Sequence, residues 1–235
     1  MAQNKLYRFE AIKTFPNVLQ YPTGMKGNWR HFFGNDKPLV LELACGKGEY
    51  AVGLAQIYPQ KNFIGVDLKG NRIYVGAKKC LDENIPNVAF LRSQIDKIAD
   101  YFTQGEVEEI WLTFPDPQLR KSRAKKRLTH PRFLRLYQQI LRPGGPIHLK
   151  TDSPVLFDFT LDVIDMYGLR LLESVDNVYG QPVISEELKI KTHYEGLDIA
   201  GSSRIHYLKF SLPAQPLPSR DAELHRKIMQ HEPAI

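Results

Sequence analysis

The stretch LVLELACGKGEYA, residues 39–51, decides how this chain reads. An apolar run broken only by Glu42 leads into Gly46 and Gly48, and Tyr50, Leu54, Ile57 and Tyr58 then recur at helical spacing. A strand, a glycine loop and a helix in that order open a βαβ unit, in which small residues let a ligand approach the backbone near a helix N-terminus. Working outward, short apolar runs predict further strands over 63–66, 88–91, 110–114 and 147–150, and two late strands over 169–175 and 205–210. Amphipathic stretches after Asn71 and after Pro131 predict crossover helices, so the fold class is α/β with a parallel sheet. Residues 39–212 form the main domain on this reading. Residues 1–38 mix aromatic and basic residues with prolines and glycines and read as an arm packed loosely on it. Residues 213–235 read as a linker and a short helix that docks through Leu224 and Ile228 on its own domain.

With 235 residues, 43% of them hydrophobic and 25% charged, the chain has the composition of one globular domain with a sizeable core. A formal charge of +6 favours an anionic partner. Cys45 and Cys80 are too few for a disulfide framework or a cysteine zinc cluster, and the seven histidines lack ligand spacing, so no metal is expected. The N-terminal residues lack the apolar segment of a signal peptide, and no apolar run approaches the roughly 20 residues that span a bilayer. These features predict a soluble, unprocessed cytoplasmic protein without a membrane partner. The absence of an apolar surface stripe favours a monomer over a homodimer.

Gly46, Gly48 and Ala51 fit the spacing of a dinucleotide loop, and Asp67 stands at the end of the next strand, where a carboxylate can grip ribose hydroxyls. Glu42 narrows the choice. A pyrophosphate beside that carboxylate would be repelled, whereas S-adenosyl-L-methionine carries an ammonium and a sulfonium that it would attract. The alternative for Glu42 is a structural carboxylate paired within the sheet. Gln94, just past the third predicted strand, offers an amide to an adenine edge or else caps a helix. Cys45 reads as a small buried thiol rather than a nucleophile.

Thr113-Phe114-Pro115-Asp116-Pro117 ends the fourth predicted strand, on the sheet edge where open α/β folds bind ligands, and the prolines restrict the pose of Asp116. The run that follows holds Arg120, Lys121, Arg123, Lys125, Lys126 and Arg127 with no acidic residue, a pattern suited to neutralising phosphates. Arg132 and Arg135 extend it. A cationic loop next to a candidate catalytic carboxylate points to a nucleic-acid substrate.

Taken jointly, ELACGKG, FPDP, KKRLTHP, LKTD at 149–152 and Thr192-x-Tyr194-Glu195 resemble the tRNA (guanine-N7) methyltransferases over most of the chain, from about Trp29 to Phe210. The resemblance implies a Rossmann-like class I methyltransferase with a seven-stranded, mostly parallel sheet, helices on both faces and a reversed last strand. It also implies methyl transfer from S-adenosyl-L-methionine to a guanine N7 in the variable loop of tRNA. Glu42, Gly46, Gly48, Asp67 and Gln94 match cofactor positions, and Asp116 matches the catalytic and cofactor carboxylate. Arg120, Asp152, Thr192, His193, Tyr194 and Glu195 match the positions that hold the tRNA guanine, and the rest of the basic run to Arg127 is assigned to tRNA by its charge. The chain departs from the family pattern at Gln118, where Trp is common, at Gln94, where Asp is usual, at Asp67, where Glu is common, and at Leu197, where Arg often stands. The rival readings are a methyltransferase acting on an exocyclic amine of adenine, an NAD-dependent dehydrogenase, and a non-catalytic RNA-binding protein.

Overall fold

In the computed structural model, which describes residues 2–193, 195 and 204–231, one sheet has the order β1-β4-β3-β2-β5-β6-β8-β7. Its strands are β1 (Val18–Gln20), β2 (Leu39–Leu43), β3 (Asn62–Asp67), β4 (Val88–Arg92), β5 (Val107–Thr113), β6 (Pro146–Thr151), β7 (Arg170–Val175) and β8 (His206–Ser211). The helices are α1 (Ala2–Ala11), α2 (Trp29–Phe33), α3 (Glu49–Ile57), α4 (Gly70–Asp82), α5 (Pro131–Gln138), α6 (Pro154–Met166), α7 (Glu186–Lys189) and α8 (Asp221–His231). Every residue of β2 is buried, as expected of a parallel strand covered on both faces. Its side chains alternate accordingly. Leu39, Leu41 and Leu43 join a core with residues of α2, α5, α6 and α8, while Val40 joins a second core with residues of α3, α4 and α7. β8 runs antiparallel to both β6 and β7, giving the reversed last strand. Pro131 and Pro154 stand in the first turns of α5 and α6, where a missing N–H costs nothing, and the His130 and Ser153 side chains cap those turns.

The sheet has eight strands rather than seven, because β1 adds to the edge beside β4. A three-residue, half-buried strand carries no alternation from which to predict it. The segment expected to pack loosely also supplies core. Ile12 and Trp29 are fully buried, and Trp29 stacks on Phe102 with ring centroids 5.2 Å apart while its Nε1 donates to the Tyr101 carbonyl at 2.8 Å. Loop-like composition hid an aromatic anchor there. At the other end, α8 buries Leu224 and Ile228 against its own domain, and Arg135 grips Asp221 at its start. Among the described residues, no helix is long and apolar enough to cross a membrane.

Gly76 in α4 fixes the height of the glycine loop. A Cβ there would lie 2.4 Å from the Lys47 carbonyl oxygen and 2.7 Å from the Phe90 ring, and backbone cannot step aside as a flexible side chain can. Gly76→Ala is therefore expected to destabilise the protein by about 1–3 kcal/mol despite alanine's better helix propensity. A thermal melt at or above the wild-type midpoint would show the contact to be slack.

Candidate active site

β2 pairs with β3 on one side and β5 on the other, so the chain leaves this point in both directions and opens a crevice at the carboxyl ends of the strands. A cavity of about 420 Å³ lies there, in the range of sites that hold small molecules. Glu42 from β2, Gly46 from the glycine loop, Asp67 from β3, and Thr113 through Pro117 after β5 line it, with Asp152, Ser153 and Thr192 at the far side. Residues up to 150 positions apart in the chain thus share one wall of space.

Local geometry explains how the glycine loop turns. Ala44, Gly46 and Gly48 all have positive φ, at 60°, 56° and 73°, and Gly48 opens α3. A Cβ on Gly48 would meet the Phe90 ring at 2.4 Å, so this glycine serves the turn and the packing and is not among the lining residues. The Gly46 N–H donates to Asp67 Oδ2 at 2.9 Å, and the Lys69 N–H donates to Oδ1 at 2.7 Å. Asp67 is thereby aimed by backbone on both sides, with lone pairs left for a ligand.

Glu42 is 3% exposed. Its Oε2 accepts from the Ala51 N–H at 2.8 Å and its Oε1 from the Thr113 hydroxyl at 2.7 Å, yet it still borders the cavity. Burial pushes its pKa up to about 8, the two hydrogen bonds pull it down, and Glu49 and Asp67 add to the rise. A cation in the cavity would favour the ionised form. Cys45 is a wall residue whose thiol is held protonated by burial and by the neighbouring carboxylates Glu42 and Asp67, which removes it as a nucleophile.

Opposite this wall, Phe114 and Gln118 each adopt φ of +47°, an unusual conformation for non-glycine residues, on either side of Pro115-Asp116-Pro117. The Gln118 N–H donates to Asp116 Oδ1 at 3.0 Å, and the Phe114 N–H donates to the Lys150 carbonyl at 2.8 Å. Asp116 is held at the cavity's open side, exposed and bordering it. Gln94 is not brought there. β4 continues through Arg92, so Gln94 falls at the start of the 3-10 turn Ile95–Asp100, exposed and outside the lining.

The basic run forms a 3-10 turn, Lys121–Lys126, with Arg120, Arg123, Lys125 and Lys126 exposed. Lys121 reaches α8 and donates to the Met229 carbonyl at 3.0 Å. Arg127 departs from expectation: it is fully buried and donates to the Pro117 and Gln118 carbonyls. Arg132 and Arg135 do not extend the cationic face as free charges, since Arg132 pairs with Asp96 and Arg135 with Asp221.

The late motif divides in the same way. Thr192 and Asp152 border the cavity, His193 is exposed with its N–H directed at Glu49, and Tyr194 lies outside the described residues, as does Leu197. Glu195 is not in the lining. Its carboxylate pairs with Lys150 at 3.1 Å and accepts from the Tyr179 hydroxyl. Lys150, fully buried, also donates to the carbonyls of Leu188 at 2.9 Å and Ile190 at 3.0 Å. Sequence reasoning missed this lysine. A lysine ending the predicted strand 147–150, directly after Leu149, was the available signal, because a buried ammonium requires partners. It also missed Lys69 and Arg72, which bring cations to the cavity from the α4 side.

Comparison with known proteins accords with this site. A family model described as a putative methyltransferase matches residues 36–205. The tRNA (guanine-N(7)-)-methyltransferase of Porphyromonas gingivalis is 45% identical, covering 91% of each chain. The enzyme of that name from Christiangramia forsetii is 42% identical over 90% of this chain and 99% of its own. The one from Geobacillus thermodenitrificans is 32% identical over 91% and 98%. Among solved structures, the 16S rRNA methyltransferase KamB superposes with a TM-score of 0.60 at 14% identity, covering 80% of this chain and 93% of its own, a likeness of fold. A cavity at the switch point of the sheet, bordered by the carboxylates of Glu42, Glu49, Asp67, Asp116 and Asp152 and flanked by exposed cations, is what these relatives' shared name leads one to expect, and the chain belongs to the tRNA (guanine-N7) methyltransferase family.

Proposed function

We propose that this protein methylates N7 of a guanine in the variable loop of tRNA, using S-adenosylmethionine as donor. What carries the proposal is the pairing of a buried carboxylate with the cavity: Glu42 borders it with a pKa raised to about 8, and Asp67 stands beside it. That donor set fits S-adenosylmethionine. Glu42 suits a positive charge, Asp67 suits ribose hydroxyls, and Gly46 lets the ligand approach the backbone. When bound, S-adenosylmethionine supplies an electrophilic sulfonium methyl, which the unprotonated N7 lone pair of guanine takes by in-line displacement. No strong base is needed, so the protein's work is alignment and electrostatic stabilisation of the purine cation.

Asp116 supplies negative potential at the open side of the cavity, and Asp152 and Thr192 orient the guanine edge. Arg120, Arg123, Lys125 and Lys126 take phosphates. Glu195 is engaged by Lys150 and Tyr179 and is not assigned a contact with the guanine. On this reading the enzyme is a cytoplasmic monomer; in support of the monomer, α8 buries Leu224 and Ile228 on its own domain.

The test is transfer of labelled methyl from S-adenosylmethionine to unmodified bulk tRNA, followed by borohydride and aniline cleavage. Strand scission in the variable loop is the expected result. Label without scission would move the methyl to another atom, and tight tRNA binding without label would favour a non-catalytic RNA-binding protein. In the same assay Asp116→Asn is expected to lower turnover about tenfold, a modest factor because the carboxylate is exposed and its field is screened. Full turnover by that variant would remove Asp116 from the reaction.

A further inference from the structure

We propose that Arg127 is a positioning residue that clamps the loop carrying Asp116, and that it takes no part in binding RNA phosphates. It rests on the methyltransferase reading of the same cavity. Six of the eight residues from Arg120 to Arg127 are cationic, and they differ in where they point. Ala124 and Arg127 are the buried members, joined by the Arg127 N–H donating to the Ala124 carbonyl at 3.0 Å, while Arg120, Arg123, Lys125 and Lys126 are exposed. A phosphate oxygen reaches an exposed cation; it does not reach a guanidinium with no accessible surface.

The buried guanidinium is aimed at the motif loop. Its Nε donates to the Pro117 carbonyl at 3.1 Å and its Nη2 to the Gln118 carbonyl at 3.3 Å, while its face lies 4.6 Å from the centroid of the Phe159 ring on α6. A planar fork meets two successive carbonyls in a way that a lysine ammonium cannot reproduce. Gln118 is therefore held at both ends, with its N–H donated to Asp116 and its carbonyl accepting from Arg127. This is the residue kept at a φ of +47°, a conformation that persists only where the surroundings impose it. Without the clamp Gln118 is free to relax to negative φ, and that swing carries the Asp116 carboxylate with it. The arginine thus acts on the reaction through the loop, and touches neither substrate.

The experiment compares Arg127→Lys, Arg127→Met and Lys125→Met in the full-length protein, with tRNA affinity measured across a salt series alongside kcat and KM. The wild type sets the baseline; if it transfers no methyl to tRNA, the functional reading fails and the Arg127 proposal with it. With an active wild type, Arg127→Lys is expected to fold, bind tRNA with an unchanged salt dependence, and turn over roughly tenfold to a hundredfold more slowly. Arg127→Met is expected to be at least as slow. Lys125→Met is expected to flatten the salt slope by about one unit, the signature of a lost phosphate contact. If Arg127→Lys keeps wild-type kcat, or if Arg127→Met flattens the salt slope as Lys125→Met does while kcat holds, the clamp is overturned.

Discussion

Replacing Lys150 with methionine is expected to cost about 3–5 kcal/mol of folding stability, the usual penalty for removing one partner of a buried ion pair. The ammonium has no accessible surface and meets the Glu195 carboxylate, the carbonyls of Leu188 and Ile190 and the Tyr179 hydroxyl, with the rings of Tyr50, Phe114 and Tyr179 within 5.6 Å. Methionine fills much of the same space and leaves all of these acceptors facing an apolar side chain. The Glu195 side chain is only 5% exposed, so its charge would have to be stranded, protonated or turned out to water. The intact pair contributes far less than its rupture costs, because desolvation of both ions offsets most of their attraction. Hence Lys150→Met combined with Glu195→Gln should recover a large part of the loss. Urea denaturation of the wild type and these two variants measures this directly. A Lys150→Met midpoint within about 1 kcal/mol of wild type would mean that the pair opens to solvent at little cost.

The second large effect is opposite in sign for the free protein and for its complex. Burial raises the pKa of Glu42 to about 8, from an ordinary carboxylate value of 4.5. Between those values the unfolded chain gives up a proton that the native state keeps, so the stability contributed by protonated Glu42 is full below about pH 4.5 and is lost as pH rises through about 8. Glu42→Gln keeps one acceptor for the Ala51 N–H and a donor for Thr113, and it removes that titration. The variant should be more stable than wild type at pH 8 by a margin on the order of 1–3 kcal/mol, and nearly equal at pH 5. Its affinity for S-adenosylmethionine should fall by about 3 kcal/mol, roughly a hundredfold, because the cation loses a desolvated opposite charge. In the wild type, binding should strengthen as pH rises towards 8 and release a proton at pH 7. Calorimetry in buffers of different ionisation enthalpy detects that release. Its absence, with equal affinity at pH 6 and pH 8, would falsify the assignment of Glu42 to the cofactor's charge.

Much of the site was legible in the sequence because its residues follow strand ends. Glu42, Asp67 and Asp116 stand at or just beyond the carboxyl ends of β2, β3 and β5, and an open α/β sheet delivers such positions to one crevice. Gln94 escaped this logic. One more residue of strand, Arg92, and a turn carry it to the outer surface. Arg127 and Glu195 were read as groups facing RNA, and the structure turns both side chains inward. Each is buried, one on the carbonyls of Pro117 and Gln118 and the other on a lysine 45 positions away.

The division has a physical cause. Periodicity is set by the geometry of a strand or a helix within a few residues, so the run from Leu39 to Ala51 was enough to predict strand, loop and helix and, with similar alternation along the chain, a parallel sheet with crossover helices. Motif order likewise told which carboxylates would gather. Burial of a particular charge is settled by whichever distant elements supply partners and exclude water, and no local pattern records that. Only the packing of α6 over Arg127, and the ion pair that Lys150 offers Glu195, turned these two charged side chains inward, while Arg123, Lys125 and Lys126 beside Arg127 face solvent.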